Sequence, residues 1–167
     1  TEQSSYYFVN VTINDTPISS EDWVGAFNED ICVGATKWDT SMCNNNVCDL
    51  VIMGDDGYEW TAGYMVEGEI PSFKIFDASE NSYYNAVATE NNPWENFGFN
   101  MIDNLNVFPD CNNELGGTAW VSDCGCVDAG NTGDDCDDCA GTPNGTNWES
   151  ECGCVDADNT GDDCDDC

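Results

Sequence analysis

The sequence has no histidine and no arginine, and its only cations, Lys37 and Lys74, face 34 acidic residues, for a formal net charge of −32. Nucleic acid and anionic membrane surfaces both require Lys and Arg to neutralise them, so both are excluded as partners. The missing His removes the usual proton carrier of nucleophilic triads and of acid–base schemes. Paired carboxylates of the glycosidase kind arise easily by chance in a chain this acidic. The expectation is that the protein is not an enzyme. No apolar run approaches the roughly 20 residues of a membrane span, and no charged-then-apolar leader follows Thr1. Direct membrane insertion is not expected, and any signal peptide lies outside this sequence. Helical periodicity of useful length is missing as well.

What the chain does contain is 12 cysteines among many Asp, Gly and Asn residues, a composition suited to an oxidising compartment, secreted or at the cell surface. Three N-x-[ST] sequons, beginning at Asn10, Asn14 and Asn144, make N-linked glycan an expected modification.

The composition changes at Pro109-Asp110. Residues 1–109 hold most of the large apolar residues, in short runs of β-type composition separated by turn residues. Tyr7, Val9, Val11 and Ile13 alternate with Phe8, Asn10 and Thr12, as a half-buried strand would. Further strands are expected at Trp23–Phe27, Ile31–Thr36, Val47–Met53, Phe73–Phe76, Tyr84–Ala88 and Phe97–Leu105. The fold class is therefore mainly β, with an antiparallel β-sandwich, Ig-like or jelly-roll-like, over residues 1–109. Trp23 and Trp38 lie in apolar stretches and read as core. Trp60 and Trp94, flanked by Glu and Pro, read as exposed, and exposed Trp rings raise the prospect of sugar stacking.

Residues 110–167 repeat. Cys111, Cys124, Cys126, Cys136 and Cys139 recur 28 positions later as Cys139, Cys152, Cys154, Cys164 and Cys167. The segment Asn131 to Cys139 returns intact as Asn159 to Cys167. Units 111–138 and 139–167 belong to an array expected to continue. With 16 acidic residues and few large apolar ones, this irregular stalk cannot form an ordinary core, so order must come from disulfides and bound cations. The simplest local pairing joins Cys111 to Cys124, Cys126 to Cys136, Cys139 to Cys152 and Cys154 to Cys164, leaving Cys167 over. A four-thiolate zinc site at Cys124, Cys126, Cys136 and Cys139 is the competing reading. In the first domain Cys32, Cys43 and Cys48 cannot all pair among themselves. One stays buried and free or bonds outward, and either Cys43 or Cys48 can reach Cys32.

Dense Asp clusters repel one another, and a hard divalent cation with oxygen ligands relieves that repulsion. The expected Ca2+ ligand pool is Asp128, Asn131, Asp134, Asp135, Asp137 and Asp138, with Asp156, Asp158, Asn159, Asp162, Asp163, Asp165 and Asp166 in the second unit. Asp156 to Asp162 resembles the front half of a calcium loop, but Cys167 stands where an EF-hand needs Glu. Asp55 and Asp56 are a weaker site, since Asp-Asp-Gly is also an ordinary turn.

The series Asp110-Cys, Gly116-Gly-Thr-Ala-Trp120, Asp123-Cys-Gly-Cys126 and Gly130-Asn-Thr-Gly133 resembles the thrombospondin-type-3-like acidic repeats of large secreted surface proteins. That resemblance implies extended, calcium-binding, disulfide-bonded spacers, although the denser Asp-x-Asp-x-Asp-Gly series of vertebrate repeats is missing here. The motifs Asp22-Trp-Val-Gly-Ala-Phe27, Cys32-Val-Gly34, Lys37-Trp-Asp39 and Pro71-Ser-Phe-Lys-Ile-Phe-Asp77 are similar to a domain that precedes such repeats in bacterial and marine surface proteins. The expected function is an extracellular structural subunit of an appendage, fibre or large adhesin, self-associating through or continuing its repeats. The alternative is an adhesion module that binds glycan or protein and is spaced from the surface by the repeats.

Overall fold

A computed structural model describes residues 2–161. With 46% of residues in strands and 4% in helix, the protein is mainly β. The chain divides into two units, one holding residues 1–109 with 114–117, the other residues 110–113 and 118 onward.

The first unit is built on β1 (Gln3–Ile13), β2 (Thr16–Pro17), β3 (Trp23–Asn28), β4 (Ile31–Lys37), β5 (Cys48–Met53), β6 (Ser72–Asp77), β7 (Ser82–Ala88) and β8 (Phe99–Val107). All eight join one sheet in the order β2-β1-β8-β7-β6-β3-β4, with β5 paired along the same edge of β1 as β2. The expected all-antiparallel arrangement is corrected at one pair: β1 and β8 run parallel, from Ser5 opposite Phe99 to Ile13 opposite Val107. The sheet curls until β4 meets β5, so a Cβ on Gly34 would strike the Val51 carbonyl oxygen. The enclosed core contains Tyr6, Phe8, Val24, Val33, Leu50, Ile52, Ile75, Ile102 and Leu105.

Alternation along β1 changes phase midway. Tyr6 and Phe8 point inward, Val9 and Asn10 are both exposed, and Val11 is buried again. Its parallel neighbour β8 does the same between Ile102 and Leu105 at matching register. Tyr7 and Val9 thus lie outside, contrary to the simple alternation expected from the sequence, because the coiling pair turns its inner face over at this point.

The second unit carries two hairpins, β9 (Trp120–Ser122) with β10 (Gly125–Val127) and β11 (Trp148–Ser150) with β12 (Gly153–Val155). They match position for position. Ser122 Oγ accepts from the Cys124 amide at 3.0 Å and donates to the Gly125 carbonyl at 3.1 Å, and Ser150 does the same with Cys152 and Gly153 at 3.1 and 3.0 Å. Gly125 and Gly153 have φ of +102° and +94°, a backbone region that favours glycine at these turns.

Four disulfides are described, a mark of an oxidising compartment. Cys111 bonds Cys126, Cys124 bonds Cys136 and Cys139 bonds Cys154, which corrects the nearest-neighbour scheme. Chain proximity misleads here because Cys124 sits in the hairpin turn while Cys126 sits on β10, so the two thiols diverge. Cys152 is also disulfide-bonded. Cys164 and Cys167 lie outside the described residues. In the first unit Cys43 bonds Cys48 across the Asn-rich loop, and Cys32 is a free, exposed thiol, neither buried nor paired within the sheet. Among the described residues no helix is long and apolar enough to cross a membrane.

Candidate functional site

On β3, Val24 and Ala26 take the inward positions, so Trp23, Gly25 and Phe27 share the outer face. Pairing carries this alternation across the sheet in rows. One row reads Lys37, Trp23, Phe76, Tyr83, and the next reads Ala35, Gly25, Lys74, Asn85. Large rings therefore flank a row whose middle has almost no side chain. The result is an open groove of about 600 Å3, floored by Gly25 and Ala35 and lined by Trp23, Phe27, Cys32, Lys74, Phe76 and Tyr83. That volume is within the range of small-molecule sites.

The rings are available to a ligand: Trp23 is 43% and Tyr83 is 70% exposed. Phe76 and Tyr83 brace each other with centroids 4.7 Å apart. Lys74 Nζ stands 4.9 Å from the centre of the Phe27 ring, a cation–π contact. None of the lining residues is acidic. Such a surface presents flat apolar faces for stacking and a single charged donor for orientation.

Two aromatic expectations are corrected. Trp23 belongs to the outer face, because the strand's alternation, not its local hydrophobicity, decides which way it points. Trp94 is buried at 1% exposure, its indole N–H donating to the Ile52 carbonyl at 3.1 Å and its ring packed over Gly54. Its backbone is held by Glu69 at 2.7 Å, which folds the Pro93-Trp94 loop inward. Trp38 is buried, and Trp60 is 73% exposed with one face stacked on Tyr58 at 4.6 Å. Inside the core, the Tyr6 hydroxyl donates to the Asn92 carbonyl at 3.1 Å; burial, seconded by the charge of Glu95, pushes its pKa upward.

The acidic pool of the repeats separates by role. Asp138 is a loop organiser: its Oδ1 accepts from the Ala140 and Thr142 amides, both at 3.0 Å, and its Oδ2 from the Asn147 amide at 3.1 Å. These bonds, led by the one from Thr142, hold its pKa below the usual carboxylate value. Its counterpart 28 residues earlier, Asp110, accepts from the Asn112 and Ala119 amides at 2.8 and 3.1 Å. Asn131 and Asn159 spend their carbonyl oxygens on the amides of Gly133 and Gly161, each at 2.7 Å, and Asn131 Nδ2 donates to Asp135 at 2.6 Å. Asp134 and Asp137 converge instead with Asp123, which the sequence reading missed, around a hollow of about 220 Å3 beside Trp120 and Pro143. Lost hydration, then the charges of Asp134, Asp123 and Asp138, raise the Asp137 pKa. Asp128, Asp156 and Asp158 are exposed and stand outside this group. Asp162, Asp163, Asp165 and Asp166 lie outside the described residues.

Cys124 and Cys136, though close to Asp137, share a disulfide and offer no thiolate to zinc. At Asp55-Asp56-Gly57, Gly57 has φ +82° and its amide donates to Asp55 Oδ1 at 2.8 Å, while the Thr61 hydroxyl donates to Asp56 at 2.7 Å, the bonding of a turn. Asn10, Asn14 and Asn144 are all exposed. Trp120 and Trp148 lie against Gly133 and Gly161, where a Cβ would come within 2.8 and 2.7 Å of the indole. Compared with known proteins, the chain matches no family model, no curated protein and no solved structure.

Proposed function

We propose that the chain is an extracellular adhesion module whose β unit, a sandwich-like carrier, binds a glycan in the Trp23–Tyr83 groove. The observation that carries this reading is the groove itself, with exposed rings flanking a glycine floor and no acidic residue in a chain of net charge −32. Sugar rings present apolar C–H faces that stack on such aromatic surfaces, and their hydroxyls accept from a central ammonium. The role is binding and not catalysis. The thrombospondin-type-3-like repeats serve as spacer, with calcium taken by Asp123, Asp134 and Asp137, whose mutual repulsion a divalent cation relieves. N-linked glycan on the exposed Asn10, Asn14 and Asn144 accompanies a secreted life.

The test is binding of the intact chain to immobilised polysaccharides, beside Trp23→Ala and Tyr83→Ala. Each loss of a ring weakens binding roughly tenfold, on the scale of one buried aromatic contact. Undiminished binding by the double variant sinks the reading.

A second reading, a building unit of a fibre, is favoured by the position-for-position identity of the two hairpin frames. Identical frames stack with a constant step. Filaments that grow with protein concentration support it, and a monomer at every concentration removes it.

A further inference from the structure

We infer that the groove selects an acidic glycan, with a uronate carboxylate seated on Lys74; the inference rests on the glycan reading above. Of the chain's two cations, one is committed: Lys37 Nζ lies 2.8 Å from Glu21 Oε2. Lys74 makes no ion pair among the described residues, and its ammonium stands over the Phe27 ring. A cation–π contact occupies one side of an ammonium and leaves N–H donors for an oxygen ligand.

Its position is set by the fold. Phe73 and Ile75 point inward, so Lys74 points out of β6. Its cross-strand neighbour is Gly25, whose missing side chain leaves the space above the lysine open between the Trp23 and Phe27 walls. The charge pattern points the same way. Acidic residues number 34 in 167, yet none lines the groove, whereas half of the chain's cations do. A neutral sugar would use this ammonium only as a hydrogen-bond donor, whereas a carboxylate would also meet its charge. The rest of the chain repels anions, but at physiological ionic strength that repulsion reaches only about 8 Å, and no acidic residue lines the groove.

The test uses the intact chain at physiological ionic strength with three immobilised probes: polygalacturonate, the same polymer after carboxyl reduction, and a sulfated galactan. The expected result is that polygalacturonate binds about tenfold more tightly than its reduced form, the size of one hydrogen-bonded charge contact. Lys74→Gln removes that difference, weakening polygalacturonate far more than the reduced polymer, and Lys74→Arg restores it. The exposed Cys32 thiol, which also lines the groove, reports occupancy: its alkylation slows when polygalacturonate is bound. Equal binding of the two polymers, with Lys74→Gln silent, overturns the acidic selectivity while the glycan reading stands. Preference for the sulfated galactan over polygalacturonate overturns the carboxylate assignment. Failure of every probe to bind, with Cys32 alkylation unaffected, overturns the glycan reading itself.

Discussion

Asp137 and Asp138 are chain neighbours with opposite electrostatics. Backbone amides of Thr142, Asn147 and Ala140 hold the Asp138 pKa down, so its contribution to stability is present above the unfolded-state value of about 3.9 and fades as pH falls through the lower folded value. The Asp137 pKa is raised by lost hydration and by Asp134, Asp123 and Asp138, so its ionised form opposes folding at neutral pH, an opposition that disappears on acidification. Asp138→Asn is therefore expected to destabilise the repeat at pH 7 and to deprotect the Ala140, Thr142 and Asn147 amides in hydrogen exchange. In calcium-free solution, Asp137→Asn is expected to stabilise it at pH 7, with the gain vanishing toward pH 3. Among the aromatics, Trp94→Ala should cost about 3 to 5 kcal/mol in denaturant unfolding, since it empties the core and strips a partner from the Ile52 carbonyl. Trp23→Ala, on the outer face, should cost far less. The sequence did not separate these two tryptophans. Hydrophobic surroundings suggested one inside and Glu and Pro neighbours suggested the other outside, whereas strand phase and a backbone bond to Glu69 decide the matter.

At the scale of elements, the glycines of β3 and β4 perform different tasks. Gly34 lets the curl close against Val51, and Gly34→Val is expected to unfold the β unit or lower its melting temperature by well over 5 °C. Gly25 keeps the groove open; a Cβ there would meet the Phe27 ring at 3.1 Å and the Gly34 carbonyl oxygen at 3.7 Å. Gly25→Val should abolish ligand binding with little thermal cost, a split read by pairing a melting curve with a binding isotherm. All seven main strands were legible from runs of apolar and β-branched residues set between turn signals. Their pairing was less so: β1 and β8 are joined in parallel across most of the chain, and no local pattern announces a partner about 94 residues away. The groove was half legible. Trp23, Gly25 and Phe27 sit at alternate positions in plain view, but which face they occupy depends on Val24 and Ala26 being drawn inward by the rest of the sheet. In the repeats the period of 28 announced a duplicated unit, but neither its hairpins, read as irregular chain, nor which cysteines meet, because a hairpin turn separates thiols that are only two residues apart.

For the whole molecule, the contrast is between a unit with a buried core and one held by covalent frames under strong self-repulsion. Reduction should loosen residues 118–161 while the sheet persists, since each lost bond costs about 2 to 5 kcal/mol and little apolar burial stands behind it. Limited proteolysis with and without reductant resolves the order of the two events. If calcium neutralises Asp123, Asp134 and Asp137, complete chelation should raise cleavage in the same segment at intact disulfides, and unchanged cleavage would assign the order to the bonds alone. Those bonds also govern how the segment responds to tension. The loops 111–126 and 124–136 overlap, so a load entering at Cys111 crosses to Cys126, runs back two residues and crosses again to Cys136. Fully drawn out, the intervening chain would span about 85 Å, whereas the bonded route offers about 18 Å. Pulled from its ends, such a repeat yields almost no hidden length, and what would be a slack acidic tether behaves as a short, inextensible strap that transmits force to the β unit without lengthening.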